Sequence, residues 1–198
     1  ACAAFSDANI IVSRSDLANV RQAGVDVFSV QLVPHVIDVD RYAHDGRQKK
    51  DLITTVAWMG TKENVQRKGL DRLLRVFGEF VKNDNRYTLM LIGPDGEGSD
   101  YLARVASELD IASRVVFTGE VTEEDKIRML QDSKYYFQLS AYEGFGISAI
   151  EALAAGNLVF HSGRGGLSDT MPPEGIDVAD MDDAKAVAQA IANAEADY

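Results

Sequence analysis

One stretch of the sequence indicates both a fold and a site: Tyr142-Glu143-Gly144-Phe145-Gly146-Ile147-Ser148-Ala149-Ile150-Glu151-Ala152-Leu153. Two glycines form a turn, and the apolar residues after it predict a helix that begins near Phe145 or Gly146. The first N–H groups of a helix have no partner within it, and they lie at the positive end of its dipole. This end therefore suits a diphosphate, which the glycines allow to approach the backbone closely.

Two carboxylates stand on either side of this turn. Glu143 lies in the loop before the helix, and Glu151 lies about 8 Å further along the axis at a rise of about 1.5 Å per residue. At this spacing one carboxylate can accept hydrogen bonds from sugar hydroxyls and the other from ribose hydroxyls, without either being a metal ligand. The predicted diphosphate contacts between them are Gly144, Phe145, Gly146 and Ile147.

The rest of the chain alternates apolar runs with amphipathic segments, which is typical of α/β proteins. The predicted fold class is a Rossmann-like open parallel sheet with helices on both faces. Strands are predicted at residues 10–12, 27–32, 53–59, 87–92, 115–118, 135–139, 158–161 and 176–178. Helices are predicted at residues 15–23, 69–83, 99–109, 123–132, 146–155 and 183–194.

Composition excludes several classes of partner. A formal net charge of −11 argues against binding to nucleic acid or to an anionic membrane surface. No apolar run reaches the roughly 18 residues that a membrane span needs, and no signal peptide is present, so we expect a cytoplasmic protein. No cluster of histidine and cysteine has metal-ligand spacing, and we expect no protein-bound metal and no cofactor. Because the chain begins with Ala1, we expect a fragment of a longer protein.

The paired glutamates Glu143 and Glu151 match a motif of the family-four retaining glycosyltransferases, which have the two-domain GT-B fold. Three further segments resemble the family in the same order. They are residues 68–74, similar to its K-G-x-x-x-L-L segment, residues 116–121, similar to its F-x-G-x-V loop, and residues 151–156, similar to its E-A-x-A-x-G helix. The resemblance implies that this chain is the C-terminal donor-binding domain.

The segment at residues 33–42 resembles the family's interdomain linker, I-P-N-G-V-D, with His35 and Val36 in place of Asn and Gly. The resemblance implies three parts. Residues 1–33 are the tail of the N-terminal acceptor-side domain, residues 34–50 are the interdomain linker, and residues 51–198 are the C-terminal nucleotide-sugar-binding domain.

The resemblance also implies roles for single residues. Glu143 would hold the transferred sugar, and Glu151 would hold the ribose. Lys68 would neutralise the leaving diphosphate together with an arginine, but Thr61 occupies the position of that arginine. Arg67 and Lys62 are the neighbouring cations that could replace it, the alternative being that they are solvated loop charges.

Two glycine loops are further candidates. The resemblance implies that the backbone from Gly119 to Val121 contacts the base, whereas a plain strand-to-helix turn explains the same residues equally well. The pair Gly165 and Gly166 predicts a close backbone approach to a ligand or to the opposing domain.

The resemblance implies a retaining hexosyltransferase of carbohydrate biosynthesis, which moves a sugar from a nucleoside diphosphate sugar to an acceptor hydroxyl. The acceptor, a glycan, lipid or small molecule, would bind the missing N-terminal half, which could also hold the protein at the membrane periphery. We expect the isolated chain to bind donor but to be inactive in transfer. Two alternatives remain open, a non-catalytic nucleotide-sugar-binding module and a sugar-nucleotide epimerase or phosphorylase on the same fold.

Overall fold

The computed structural model describes residues 7–24, 29–178 and 180–197. The described residues form two parallel sheets. The smaller sheet pairs β1 (Asn9–Ile11) with β2 (Val30–Leu32). The larger sheet contains β3 (Lys50–Val56), β4 (Thr88–Ile92), β5 (Val115–Phe117), β6 (Ser133–Gln138), β7 (Leu158–His161) and β8 (Ile176–Asp177). Its spatial order is β5-β4-β3-β6-β7-β8, with every neighbouring pair parallel.

Helices cover both faces of the larger sheet. They are α1 (Arg14–Gln22), α2 (Val39–Tyr42), α3 (Lys62–Arg67), α4 (Leu70–Phe80), α5 (Glu97–Glu108), α6 (Glu123–Asp132), α7 (Ile147–Ala154), α8 (Leu167–Thr170) and α9 (Ala184–Asp197). A 3-10 turn at Ala112–Arg114 precedes β5. Among the described residues, no helix is long and apolar enough to span a membrane.

The side chains of β6 show how the strand periodicity divides the core in two. Tyr135 and Phe137 pack into the larger core beneath α3, α4, α5 and α9. Tyr136, between them, packs into the smaller core with residues of α2, α6, α7 and α8. Because successive side chains of a strand point to opposite faces, a strand that is buried on both sides has apolar side chains on both faces, as Tyr135, Tyr136 and Phe137 show. The predicted Rossmann-like α/β fold class is confirmed.

The strand order reverses between β3 and β6. From β3 the chain adds β4 and β5 on one side, and it then returns to add β6, β7 and β8 on the other side. In open parallel sheets, the loops at the carboxyl ends of two such strands separate and leave a crevice where ligands bind. The loops after β3 and β6 contain Lys68 and Glu143, so the topology brings these distant residues to the same edge.

Several element boundaries differ from those predicted. The strand predicted at residues 53–59 is β3 at Lys50–Val56, and beyond it the backbone bonds irregularly, from the Ala57 N–H to the Ile92 carbonyl at 2.9 Å and from Met59 to Pro94 at 3.0 Å. β2 covers Val30–Leu32 of the strand predicted at residues 27–32, of which residues 27 and 28 lie outside the described chain. Helices α2, α3 and α8, of four to six residues, were not predicted because they are too short to show a helical period.

Candidate functional site

A pocket of about 430 Å³ opens at the carboxyl ends of β3 and β6. Both predicted carboxylates, Glu143 and Glu151, line it together with Lys68. The predicted diphosphate contacts Gly144, Phe145, Gly146 and Ile147 line it as well. The structure thus brings into one cavity seven residues that the sequence predicted for one ligand.

Lys68 and Glu143 form an ion pair at the mouth of this pocket. The Lys68 Nζ lies 2.6 Å from Glu143 Oε2, and the two side chains are only 17% and 16% exposed. The same oxygen also accepts hydrogen bonds from Gln138 Nε2 at 3.0 Å and from Ser140 Oγ at 3.2 Å. Three donors therefore converge on Oε2, while Oε1 has no hydrogen-bond partner within the described chain.

The position of Lys68 depends on the glycine that follows it. Gly69 has a φ of +70°, and a Cβ at this residue would collide with the Leu139 carbonyl. The Ala141 N–H donates to the Arg67 carbonyl at 2.8 Å. The backbone around Gly69 therefore packs directly against the backbone that follows β6. A glycine is required for this contact, which explains the Lys-Gly pair and sets Lys68 beside Glu143.

The glycine loop after β7 supports Glu143 from the other side. The Gly166 N–H donates to the Glu143 carbonyl at 2.6 Å, and a Cβ on Gly166 would collide with the Gly144 carbonyl. Gly165 likewise lies against the backbone of Glu143. These glycines therefore make their close backbone approach to the loop that carries Glu143. The prediction had placed a ligand or the opposing domain there.

Helix α7 begins at this loop, as its glycine turn predicts. Gly146 is its N-cap with a φ of +92°, and the Ala149 and Ile150 N–H groups are the first to bond within the helix, both to the Gly146 carbonyl. The N–H groups of Ile147 and Ser148 therefore precede the helical ladder, and both residues line the pocket. This is the arrangement that binds anions at helix N-termini.

Glu151 also lines the pocket and is 7% exposed. Its Oε1 contacts the Tyr42 hydroxyl at 2.8 Å, and its Oε2 contacts Lys126 Nζ at 2.9 Å. Lys126 also pairs with Glu123 at 3.0 Å, and the Tyr42 hydroxyl contacts Glu123 as well. The Tyr42 hydroxyl lowers the pKa of Glu123, and burial followed by the two carboxylates raises the pKa of Tyr42.

Thr61, which occupies the position of the family's arginine, and the two neighbouring cations lie in different environments. Thr61 is the N-cap of α3, where its hydroxyl accepts from the Asn64 N–H at 3.2 Å. Arg67 lies at the other end of α3 and donates to the Tyr142 carbonyl at 3.1 Å, next to Glu143. Lys62 lies over the ring of Tyr101 on α5, 4.8 Å from its centroid, and none of these three residues is among those that line the pocket.

The predicted base-binding loop lies two strands away from β3. Gly119 has a φ of +67° and forms an isolated antiparallel bridge with Gly93, so the loops after β4 and β5 touch. Val121 is half-buried between this bridge and α6. Neither residue lines the pocket of the two carboxylates, and a base contact there stays a prediction.

The N-terminal segment contacts the loop after β6, which carries Glu143, and the helix α8 that follows β7. The Tyr142 hydroxyl donates to Asp16 on α1, and the Ser15 N–H donates to the Asp169 carboxylate at 2.8 Å. His35, in the predicted linker, packs edge-on against Phe145 with ring centroids 5.1 Å apart. The segment predicted to belong to another domain therefore borders the pocket, although the predicted domain boundaries themselves stay untested.

Sequence reasoning missed four residues that contact the two carboxylates, namely Tyr42, Lys126, Gln138 and Ser140. Gln138 carried a signal, because it is a polar residue at the end of an apolar strand. Tyr42 and Lys126 carried none, because each lies in an amphipathic segment where a polar residue is expected. Within the described ranges no three or more His, Cys, Asp and Glu residues are grouped to hold a metal ion, and a metal-free site stays a prediction.

Comparison with protein families identifies the family to which the chain belongs. The family model for glycosyl transferases group 1 matches residues 49–198. The D-inositol 3-phosphate glycosyltransferase of Rhodococcus jostii is 32% identical over 161 residues, covering 75% of this chain and 35% of that protein. The GDP-mannose:cellobiosyl-diphosphopolyprenol alpha-mannosyltransferase of Xanthomonas oryzae is 26% identical over 128 residues, covering 64% and 33%. The chain spans about a third of the length of these curated relatives.

Solved structures agree with the fold. Sucrose-phosphate synthase from Thermosynechococcus elongatus matches with a TM-score of 0.82 and 25% identity, covering 97% of this chain and 50% of that one. HepE from Anabaena, solved with UDP and glucose, matches with a TM-score of 0.83 at 18% identity, covering 98% and 55%, and shows the fold alone. The chain therefore belongs to the glycosyl transferases group 1 family and has the Rossmann-like α/β architecture of GT-B glycosyltransferases.

Proposed function

We propose that this chain is the donor-binding part of a retaining glycosyltransferase that transfers a sugar from a nucleoside diphosphate sugar to an acceptor hydroxyl. One observation carries the proposal. Glu143, Glu151, Lys68 and the N-terminal end of α7 surround a single pocket of about 430 Å³. A nucleoside diphosphate sugar has hydroxyls at both ends and two anionic groups between them, and this order matches carboxylate, cation with helix end, and carboxylate.

Glu143 binds the transferred sugar in this proposal. Its Oε2 is held by Lys68, Gln138 and Ser140, which fix the carboxylate in one orientation. Oε1 has no partner among the described residues and can accept hydrogen bonds from sugar hydroxyls. A carboxylate that is already oriented loses little conformational freedom when the sugar binds.

Lys68 and α7 act on the leaving group. As the bond between the sugar and the diphosphate breaks, negative charge develops on the diphosphate. The Lys68 ammonium and the N–H groups at the start of α7 stabilise this charge, and their interactions strengthen as the charge grows. Arg67, beside the Tyr142 carbonyl, is the cation that we assign to the role of the missing arginine. Lys62, which lies over the ring of Tyr101 on α5, is not assigned to that role.

We propose that the acceptor does not bind this chain, which spans about a third of the length of the curated relatives it matches. The similar Rhodococcus protein is named for D-inositol 3-phosphate and the Xanthomonas protein for a diphosphopolyprenol, so relatives with similar donor-side sequence use different acceptors. We propose that the acceptor is chosen outside the pocket described above. This chain alone then binds donor but transfers nothing, because the acceptor is neither bound nor oriented.

A binding experiment tests the proposal directly. The chain is titrated with UDP-, GDP- and ADP-sugars by thermal shift, and the best ligand is measured by calorimetry. The double variant Glu143→Gln, Glu151→Gln should bind that ligand at least tenfold more weakly than the wild type, since hydrogen bonds to two charged groups are altered. The matched control is Glu79→Gln, a glutamate that pairs with Lys82 on the surface of α4.

The proposal is wrong if no sugar nucleotide binds the wild-type chain, or if the double variant binds like the control. Transfer is tested separately with labelled donor and a lysate that contains candidate acceptors. Product should appear with the full-length protein and not with this chain. Equal rates for both proteins would make this chain a different kind of enzyme.

A further inference from the structure

Glu151 is surrounded by side chains that no sequence motif predicted. Tyr42 ends α2, directly after the predicted linker, and its hydroxyl lies 2.8 Å from Glu151 Oε1. Lys126, on α6, lies 2.9 Å from Glu151 Oε2 and 3.0 Å from Glu123. These contacts join residues separated by up to 109 positions in the chain, so they exist only in the folded protein.

The two carboxylates, Glu123 and Glu151, share their hydrogen-bond donors. The Tyr42 hydroxyl has one proton and contacts two carboxylates, so it can donate to only one of them at a time. Lys126 is the ammonium that contacts both carboxylates, and its side chain is 15% exposed. A buried carboxylate without an ion-pair or hydrogen-bond partner destabilises the fold, and Lys126 and Tyr42 are those partners for Glu151.

The same contacts leave room for a ligand. An ionised carboxylate has about four acceptor positions, of which Tyr42 and Lys126 take two on Glu151. Lys126 has three N–H donors, and Glu151 and Glu123 account for two of them. Both Lys126 and Glu151 line the pocket, so the unused positions are accessible to a ligand there.

We propose that Tyr42 and Lys126 are positioning residues that hold the Glu151 carboxylate oriented toward the two ribose hydroxyls of the nucleoside diphosphate. This inference rests on the proposed function and extends it to residues outside the paired-glutamate motif. The third N–H of Lys126 donates to a ribose hydroxyl oxygen. Discrimination between ribose and its deoxy analogues thus depends on α2 and α6 as well as on α7.

The inference predicts a difference between two ligands, measured on the same protein. Calorimetry compares the nucleoside diphosphate that binds best among UDP, GDP and ADP with its 2′,3′-dideoxy analogue. Lys126→Met should bind the ribose form at least fivefold more weakly than the wild type, and the dideoxy form within about twofold, since the lost hydrogen bonds involve charged groups. Tyr42→Phe, which keeps the buried ring, should show a smaller loss for the ribose form alone.

Two further variants serve as controls in this binding experiment. Lys126→Arg retains a cation and should recover most of the affinity for the ribose form. Lys82→Met removes an exposed lysine in the turn after α4 and should bind both ligands like the wild type. Because the result is the ratio of two affinities on one variant, partial unfolding of that variant cancels.

The outcomes separate this inference from the function on which it rests. An equal loss for the ribose and dideoxy ligands, or no loss for either, overturns the role of Tyr42 and Lys126 while wild-type binding still supports the proposed function. A wild-type chain that binds none of the three diphosphates overturns the proposed function, and this inference with it.

Discussion

The two ends of the six-stranded sheet both carry tyrosines, lysines and carboxylates, but the two groups of side chains are built differently. The carboxyl-end cluster consists of Tyr42, Lys68, Lys126, Glu143 and Glu151 and lines the pocket or contacts residues that do. The amino-end cluster consists of Asp51, Tyr87, Lys134, Tyr135 and Glu195 and attaches α9 to the starts of β3, β4 and β6.

Glu195 at the amino end has all its acceptor positions occupied. Its Oε2 accepts hydrogen bonds from the Tyr87 hydroxyl at 2.5 Å and from the Tyr135 hydroxyl, and its Oε1 contacts both Lys134 and Arg86 at 3.2 Å. Burial alone would raise the pKa of Glu195, but the hydrogen bonds from the two tyrosines and Lys134 outweigh it and lower the pKa to about 2.

The carboxyl-end glutamates are only partly occupied. Glu143 uses one oxygen for three donors and leaves the other without a partner in the described chain, and Glu151 accepts from two groups. The comparison teaches that residue type does not separate the amino-end cluster from the cluster to which we assign ligand binding. What separates them is whether the protein's own donors exhaust the acceptor positions of the carboxylates.

The largest expected effect is on the rate of transfer. Lys68→Met in the full-length protein should lower kcat about 100-fold or more, because the proposed function makes Lys68 a cation that stabilises the leaving diphosphate. It should also leave Glu143 without its ion-pair partner. Steady-state kinetics with a saturating donor measure this, and Lys82→Met serves as the control. A kcat within threefold of the wild type would remove Lys68 from the chemistry.

A substitution in the amino-end cluster should lower the stability of the fold without weakening donor binding. Glu195→Ala should lower the free energy of unfolding by about 2 kcal/mol, because buried donors lose a charged acceptor. Its affinity for the donor should stay within twofold of that of the wild type. Urea denaturation and calorimetry measure the two quantities. A matching loss of donor affinity would show that the two ends of the sheet are coupled.

The pH dependence of this stability difference follows from the lowered pKa of Glu195. The folded state binds the proton less tightly than the unfolded state, so the contribution of Glu195 is fully present above its ordinary pKa of about 4.5 and is lost as the pH falls toward 2. The gap in Tm between the wild type and Glu195→Ala should therefore narrow from pH 5 to pH 2.5. A constant gap would argue against a depressed pKa.

Gly69→Ala should damage the carboxyl end through the backbone. A φ of +70° disfavours alanine, and the added methyl group would collide with the Leu139 carbonyl. We expect a loss of about 1 to 3 kcal/mol in the free energy of unfolding, together with weaker donor binding as Lys68 moves away from Glu143. Gly46→Ala is the matched control, because it has a positive φ but open space around it. Equal losses in both variants would mean that only backbone strain matters.

The smallest expected effect distinguishes the two cations near Thr61. Arg67→Ala should weaken nucleoside diphosphate binding by about 0.5 to 1 kcal/mol, as for an exposed ion pair, without changing binding of the bare nucleoside. Lys62→Ala should change neither, because Lys62 lies over Tyr101. Calorimetry with both ligands measures the difference. The assignment of Arg67 fails if Lys62→Ala shows the larger loss for the diphosphate.

The sequence by itself determined the features that depend on short-range order. Alternating apolar segments specified a parallel sheet between helices, and the glycine turn before an apolar run specified the start of α7 near Gly146. The sequence placed Glu143 in the loop before this helix and Glu151 within it, and both residues line one pocket. These features could be predicted because each follows from residues fewer than about ten positions apart.

Only the tertiary structure decided which side chains meet. Lys68 reaches Glu143 across 75 positions because Gly69 packs against the backbone of Leu139. Tyr42 and Lys126 reach Glu151 because α2 and α6 pack beside α7 in the smaller core. Lys62 and Arg67 lie at the two ends of a six-residue helix too short to predict, and they contact different parts of the protein, Tyr101 on α5 and the Tyr142 carbonyl. Periodicity encodes which face of an element is buried, but the partner of each polar side chain depends on how distant elements pack together.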